Sequence, residues 1–306
     1  MNNIKRDYTE LNREIKEKIE ALYSPEDGFA VTIREVVKNN DSIFTGIEIK
    51  DKDDSLAPVI YLDKLYENHF INPNDFSILR IVSEIVSAYD NRTNPISNFG
   101  IENIESFENY KNKIFFKIAN FEKNKEFLKD RPFIRFCDLC IIFNILIHQT
   151  HDTIGSIPIN NYVLDKWGVT IERVYKLALE NTEKLFPPSI KGLSTVISEL
   201  SPIDLSMDEM PQLPVFVLTN MTGIEGASAL LYKSTLDFLE NSEEEYYILP
   251  SSVHEVLLAV KLDEMTIEQL KEMISEVNST EVSNEEYLSD NVYYYDKVTK
   301  EIKIAE

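Results

Sequence analysis

Two stretches of this 306-residue chain carry side chains of catalytic or ligand type. The first, CDLCIIFNILIHQTH at 137–151, holds both cysteines and two of the four histidines. The second, PSSVHE at 250–255, offers Ser251, Ser252, His254 and Glu255, the residue types of a nucleophile, a base and an orienting acid. Metal binding is the chemistry to weigh in the first stretch and hydrolysis in the second.

Spacing argues against a metal at 137–151. In a strand, neighbouring side chains point to opposite faces, so Cys137 and Cys140 cannot both reach one ion without a bulge. In a helix, Cys137, Cys140, Asn144, His148 and His151 would share a stripe about 80° wide whose ends lie roughly 21 Å apart. A zinc finger places a spacer of about twelve residues between its cysteine and histidine pairs. Here only the seven residues IIFNILI intervene. The Ile and Phe content, and the run SIPIN beyond HDTIG, predict a buried strand with a hairpin partner. No metal and no cofactor is expected.

A strand reading of PSSVHE puts Val253, Glu255 and Leu257 on one side and Ser252 with His254 on the other, which leaves a Ser/His pair open. A serine that closes a turn or caps a helix is the structural alternative. Gly223 and Gly226, in TNMTGIEGAS, belong to no phosphate-binding fingerprint and read as hairpin-turn glycines, with Asn220 and Gly223 able to take positive φ.

The elements that position these residues follow from periodicity. Ile4, Tyr8, Leu11, Ile15, Ile19 and Leu22 repeat as one helical face. FAVTIREVV and IFTGIEIKD predict a hairpin around NNDS, VIYLDKLYENHF a strand end or helix start, and Ile78, Val82, Ile85, Val86 and Tyr89 a helix. DNRTNPISNFG reads as a loop between an N-terminal subregion, 1–95, and a main domain, 104–306. A long helix is expected from about Ile104 to Leu128, ended by Asp130, Arg131 and Pro132, and another from Ile171 to Leu185, ended by Pro187 and Pro188. Residues 201–214 read as a connection, with a possible sub-boundary there. PVFVLTN and GASALLY predict strands flanking MTGIE, LDFLENS a short helix, and YYILPSSVHEVLLAV a β-rich return. Thr266 and Gln269 have capping-box spacing ahead of a helical stripe, and VYYYDKVTKEIKIA closes as a hairpin. The fold class is therefore α+β, with antiparallel strands and hairpins and several amphipathic helices.

Charge narrows the function classes. The chain carries a net charge of −22, and residues 240–290 hold 14 Asp and Glu against Lys261 and Lys271 alone. Such a surface repels phosphate backbones, so direct nucleic-acid binding is not expected. It attracts a basic protein surface, imitates nucleic acid, or simply aids solubility. Glu243, Glu244 and Glu245 are candidate docking carboxylates. Asp290, Tyr293 and Tyr295 are candidate interface anchors, because tyrosine packs and hydrogen-bonds together. The N-terminal segment has no apolar core of a signal peptide, and LCIIFNILI is too short to span a bilayer, so a cytoplasmic protein without membrane association is expected.

NYVLDKWGVTIERVYKLALENTEKLFPP, VLTNMTGIEGASALLY, YYILPSSVHEVLLAV and EVNSTEVSNEEYLSDNVYYYD resemble an uncharacterised family of Firmicutes, especially gut-dwelling Clostridia, catalogued as a domain of unknown function. The resemblance covers most of the chain and is strongest over 104–296. It implies proximity to mobile-element genes and a role in conflict or transfer between genomes, but assigns no catalytic residue. Taken together, these readings favour a non-enzymatic interaction or regulatory protein that binds another protein through the acidic region. A hydrolase using Ser251 or Ser252 with His254, and a nucleic-acid mimic acting as an inhibitor, are the alternatives.

Overall fold

The computed structural model describes residues 8–52, 57, 59–70, 77–90, 104, 106–150, 154–200, 214–250, 252–262 and 266–306. Within it the chain divides into two compact units, Met1–Lys38 with Ser42–Asn103, and Asn39–Asp41 with Ile104–Glu306. The loop expected at DNRTNPISNFG falls almost entirely outside the described residues. So do all but the last residue of the connection at 201–214, together with Ser251 and His151.

In the first unit, α1 (Thr9–Glu20) is followed by β1 (Phe29–Val37), β2 (Ile43–Asp51), β3 (Val59–Tyr61), α2 (Leu62–Phe70) and α3 (Ile78–Asp90). The strands form an antiparallel sheet in the order β1-β2-β3, with Val31 opposite Ile49 and Ile33 opposite Ile47. One apolar stripe from each helix closes over this sheet: Ile15 and Ile19, Leu62 and Tyr66, and Ile81, Val82 and Ile85 are buried with Val31, Ile47 and Ile49. This is the packing of amphipathic helices on a half-covered sheet.

The second unit begins with a single helical turn, α4 (Phe107–Tyr110), and β4 (Ile114–Asn120). The long helix expected over 104–128 is therefore wrong. Six of the seven residues of β4 are buried, because the strand is covered on both faces and so shows no period-two alternation to distinguish it from a helix. There follow β5 (Phe133–Phe136), β6 (Leu139–Gln149), β7 (Ile154–Pro158), α5 (Asn161–Trp167), α6 (Ile171–Leu185), β8 (Pro188–Gly192), α7 (Leu193–Leu200) and β9 (Val215–Asn220). Next come a 3-10 segment (Gly226–Leu231), α8 (Lys233–Asn241), β10 (Tyr246–Leu249), β11 (Val256–Val260), α9 (Ile267–Glu281), β12 (Tyr293–Asp296) and β13 (Glu301–Ile304). GASALLY, expected as a strand, is this 3-10 segment. Ala227, Ser228, Ala229 and Leu230 are all buried, so its burial leaves no alternating pattern.

Two antiparallel sheets organise the unit. One places β6 between β4 on one side and β5 then β7 on the other; the second runs β13-β12-β10-β11-β9-β8. Leu139, Ile141, Phe143 and Ile145 of β6 pack into the main core with Leu218, Ile248, Val256, Leu258 and Tyr293 of the second sheet and with Val174 and Ala178 of α6. Cys140 and Ile142 point the other way, into a smaller cluster with Ala119 and Leu128. On the far face of the six-stranded sheet, Leu270 and Ile274 of α9 cover Tyr247, Leu249 and Ala259. The capping box that starts α9 is formed in both directions, Gln269 N–H to Thr266 Oγ1 and Thr266 N–H to Gln269 Oε1.

Phe143 sits where both sheets meet, so truncating it leaves a cavity that cannot collapse. Phe143→Ala is expected to lower unfolding free energy by about 3–5 kcal/mol in urea denaturation, whereas Val298→Ala, at a side chain 92% exposed, should change it by less than about 0.5 kcal/mol.

Candidate functional site

From Ser252 to Glu255 the chain makes a turn rather than a strand. β11 begins only at Val256, and Ser252 makes one isolated bridge to Tyr287. The Ser252 hydroxyl accepts the backbone N–H of His254 at 3.1 Å and of Glu255 at 3.3 Å, and donates to Glu255 Oε1 at 3.0 Å. This geometry closes a turn. It hands the hydroxyl proton to a carboxylate and not to an imidazole, so Ser252 and His254 form no nucleophile–base pair.

His254 is held from other directions. Its Nδ1 accepts the Glu225 N–H at 3.2 Å, which puts the ring hydrogen on Nε2, 3.5 Å from Glu286 Oε1. Its carbonyl accepts the Thr219 hydroxyl at 2.7 Å. Glu225, with φ at 53°, also pairs with Lys117 at 2.8 Å. Gly226 is required beside them: a Cβ there would overlap the Thr219 hydroxyl and the His254 carbonyl. The turn that was expected to offer chemistry thus fastens the 3-10 segment to the ends of β9 and β11. Gly223, with φ at 68°, fills the turn role expected of it, while Asn220 ends β9 and caps the same turn by accepting Thr222 N–H and donating to the Ile224 carbonyl.

The two cysteines serve opposite sides of one sheet. Cys137, in a turn with φ at 52°, packs toward the main core and donates its thiol to the Ile302 carbonyl, while Cys140 lies in the smaller cluster. Burial, and next Asp138, push the Cys137 thiol up; burial alone pushes Cys140 to about 12. Neither is a thiolate at neutral pH, the form that a metal or an electrophile requires. Among the described residues, no group of three or more His, Cys, Asp or Glu is placed to hold a metal ion.

Of the three residues put forward as interface anchors, the structure buries Tyr293 completely. Its hydroxyl donates to Asp138, whose carboxylate also accepts from Ser289 at 2.8 Å and from Asn291 at 3.0 Å. Asp290 accepts from Asn278 of α9 at 2.8 Å. Tyr295 is half-buried, near Glu240 and Asp237 of α8. Asp138 is the acceptor that sequence reasoning missed. It lies within the CDLC motif, but its partners lie more than 150 positions away and leave no local signal.

The acidic residues divide into paired and unpaired sets. Glu245 pairs with Lys261 at 3.2 Å and Glu240 with Lys300 at 2.6 Å. Glu243 and Glu244, in the turn between α8 and β10, are exposed and pair with no cation among the described residues. The same holds for Glu268, Glu272 and Glu276, which stand four apart on the solvent side of α9.

Burial, and next Asp138, hold the Tyr293 hydroxyl protonated far above its usual range. Burial raises Tyr232 in the same way, and burial with Asp290 lifts Tyr287 to about 12. A folded-state value above the unfolded one favours folding fully below the unfolded pKa, near 10, and that contribution is lost as pH rises beyond it. Stability should therefore hold between pH 7 and 8, begin to fall above about pH 8.5, where the thiols of Cys137 and Cys140 would ionise in the unfolded chain, and fall further above about pH 10, by up to about 1.4 kcal/mol per pH unit for each such group. Denaturant titrations across this range check it, and Tyr293→Phe should flatten the slope.

No curated protein and no solved structure matches this chain. A family model does match, over residues 8–297. With nearly its whole length matched, the chain belongs to the family of unknown function DUF5688.

Proposed function

We propose that this chain is a non-enzymatic interaction or regulatory protein that docks, through carboxylates between residues 240 and 290, on a basic surface of another protein. The observation that carries the reading is the row Glu268, Glu272 and Glu276. Like charges four apart on a helix cost roughly 0.2–0.5 kcal/mol per pair, and here no cation among the described residues offsets them. Glu268 lies in the first turn, where the helix dipole favours a carboxylate, but Glu272 and Glu276 repel each other with no ion pair in return among the described residues, which fits a surface kept for binding. Glu243 and Glu244 are further unpaired carboxylates on a second element, while Glu240 and Glu245 are each paired with a lysine.

Nucleic-acid mimicry is less well supported. Residues four apart on a helix rise about 6 Å along the axis. A DNA strand winds its phosphates, one about every 3.4 Å of axis, around the duplex, whereas the three carboxylates form one short row on a single helix. The hydrolase reading draws no support from Ser252, whose hydroxyl closes its own turn.

Two measurements test the proposal. Replacing Glu272 and Glu276 together with Gln should raise unfolding free energy by about 0.4–1 kcal/mol, by removing two like-charge pairs while keeping Glu268 in the first turn, where the helix dipole favours it. A basic partner recovered from the native cell at low salt should bind the wild type with an affinity that falls steeply as salt rises, and should bind the Gln variant or Glu243→Lys/Glu244→Lys at least about tenfold more weakly. A partner whose affinity ignores both salt and these substitutions would refute the reading.

A further inference from the structure

The outward side of α9 is not purely acidic. Met273 and Val277, four residues apart, remain 44% and 43% exposed, although Leu270 and Ile274 beside them are buried on the sheet. At 100° per residue these two form an apolar row along one flank of the buried stripe, and Glu272 and Glu276 follow on the solvent side of that row. The only basic residue of the helix, Lys271, falls on the opposite flank. From sheet to solvent the flank therefore reads apolar seam, then carboxylate rim.

Building on the docking function, we infer that this flank receives a basic amphipathic helix, whose apolar row packs on Met273 and Val277 while its Lys or Arg residues face Glu272 and Glu276. Charge complementarity selects a cationic partner. The seam selects its shape, because residues at i and i+4 make a ridge that fits the groove between ridges of another helix. A flexible polycation would meet the carboxylates but leave the seam in water.

The test uses two 15-residue peptides of identical Lys and Leu composition, one with its leucines at helical i, i+3, i+4 spacing and one scrambled. Binding to the full chain is followed by fluorescence anisotropy at low and high salt. The patterned peptide should bind the wild type about tenfold more tightly than the scrambled one. Met273→Ser/Val277→Ser, both at exposed positions and checked by circular dichroism, should abolish that advantage without changing binding of the scrambled peptide. The Glu272→Gln/Glu276→Gln variant should weaken both peptides. Equal, salt-sensitive binding of the two peptides to the wild type would overturn the helix inference and leave the docking function standing. Binding of both peptides that is unchanged in the Gln variant would overturn the docking function as well. No binding of either peptide, or light scattering showing that a second copy of the chain already covers Met273 and Val277, would also overturn the helix inference.

Discussion

β6 is buried on both of its faces, and the larger unit is arranged around that fact. Leu139, Ile141, Phe143 and Ile145 supply the main core while Cys140 and Ile142 supply the cluster behind it. A strand apolar on both sides must be covered on both sides, so the four-stranded sheet needs the six-stranded sheet and α6 over one face and the segment around Phe121, Phe127 and Leu128 over the other. The ligand-type residues in this strand follow the same logic. Cys140 is a small apolar filler whose thiol stays protonated, and Asn144 bonds Ser156 of the neighbouring strand.

Polar groups hold what the apolar layers do not specify. Asn40 and Asn124 exchange hydrogen bonds, Asn40 donates to the carbonyls of Asn284 and Tyr287, and Asn120 donates to the carbonyl of Leu288. Asp138 gathers Ser289, Asn291 and Tyr293. The segment between α9 and β12 has little regular structure of its own, and these side chains fix it by answering its backbone and side-chain hydrogen-bonding groups. The Ser252 turn works in the same way on that segment, through the Val253 N–H to the Glu286 carbonyl and the His254 ring beside Glu286. Residues that look catalytic in one dimension thus act as fasteners in three.

Charge is distributed by a different rule. Where carboxylates meet lysines they form exposed pairs that contribute little to stability, as in Glu240–Lys300 and Glu245–Lys261. Glu272 and Glu276 have no such partner among the described residues and repel each other, while Met273 and Val277 stay in water beside them. Neither feature helps the fold, and both suit a surface whose counterpart is another molecule.

The strand at 139–149, its hairpin partner, the first hairpin at FAVTIREVV, the capping box at Thr266 and the closing hairpin could all be read from the residues alone, because each of these states its burial or its cap within a few positions. The sequence misled at 104–128 and at GASALLY, where burial from all sides erases the periodicity that separates helix from strand. Net charge and the acidic stretch were equally legible, since they are sums over residues. Which glutamates stay unpaired, the turning of the Ser252 hydroxyl to Glu255, and the inward facing of Tyr293 to Asp138, 155 positions away, emerge from the packed fold alone. Those outcomes depend on which distant backbone comes to lie alongside, and no local pattern of residues carries that information.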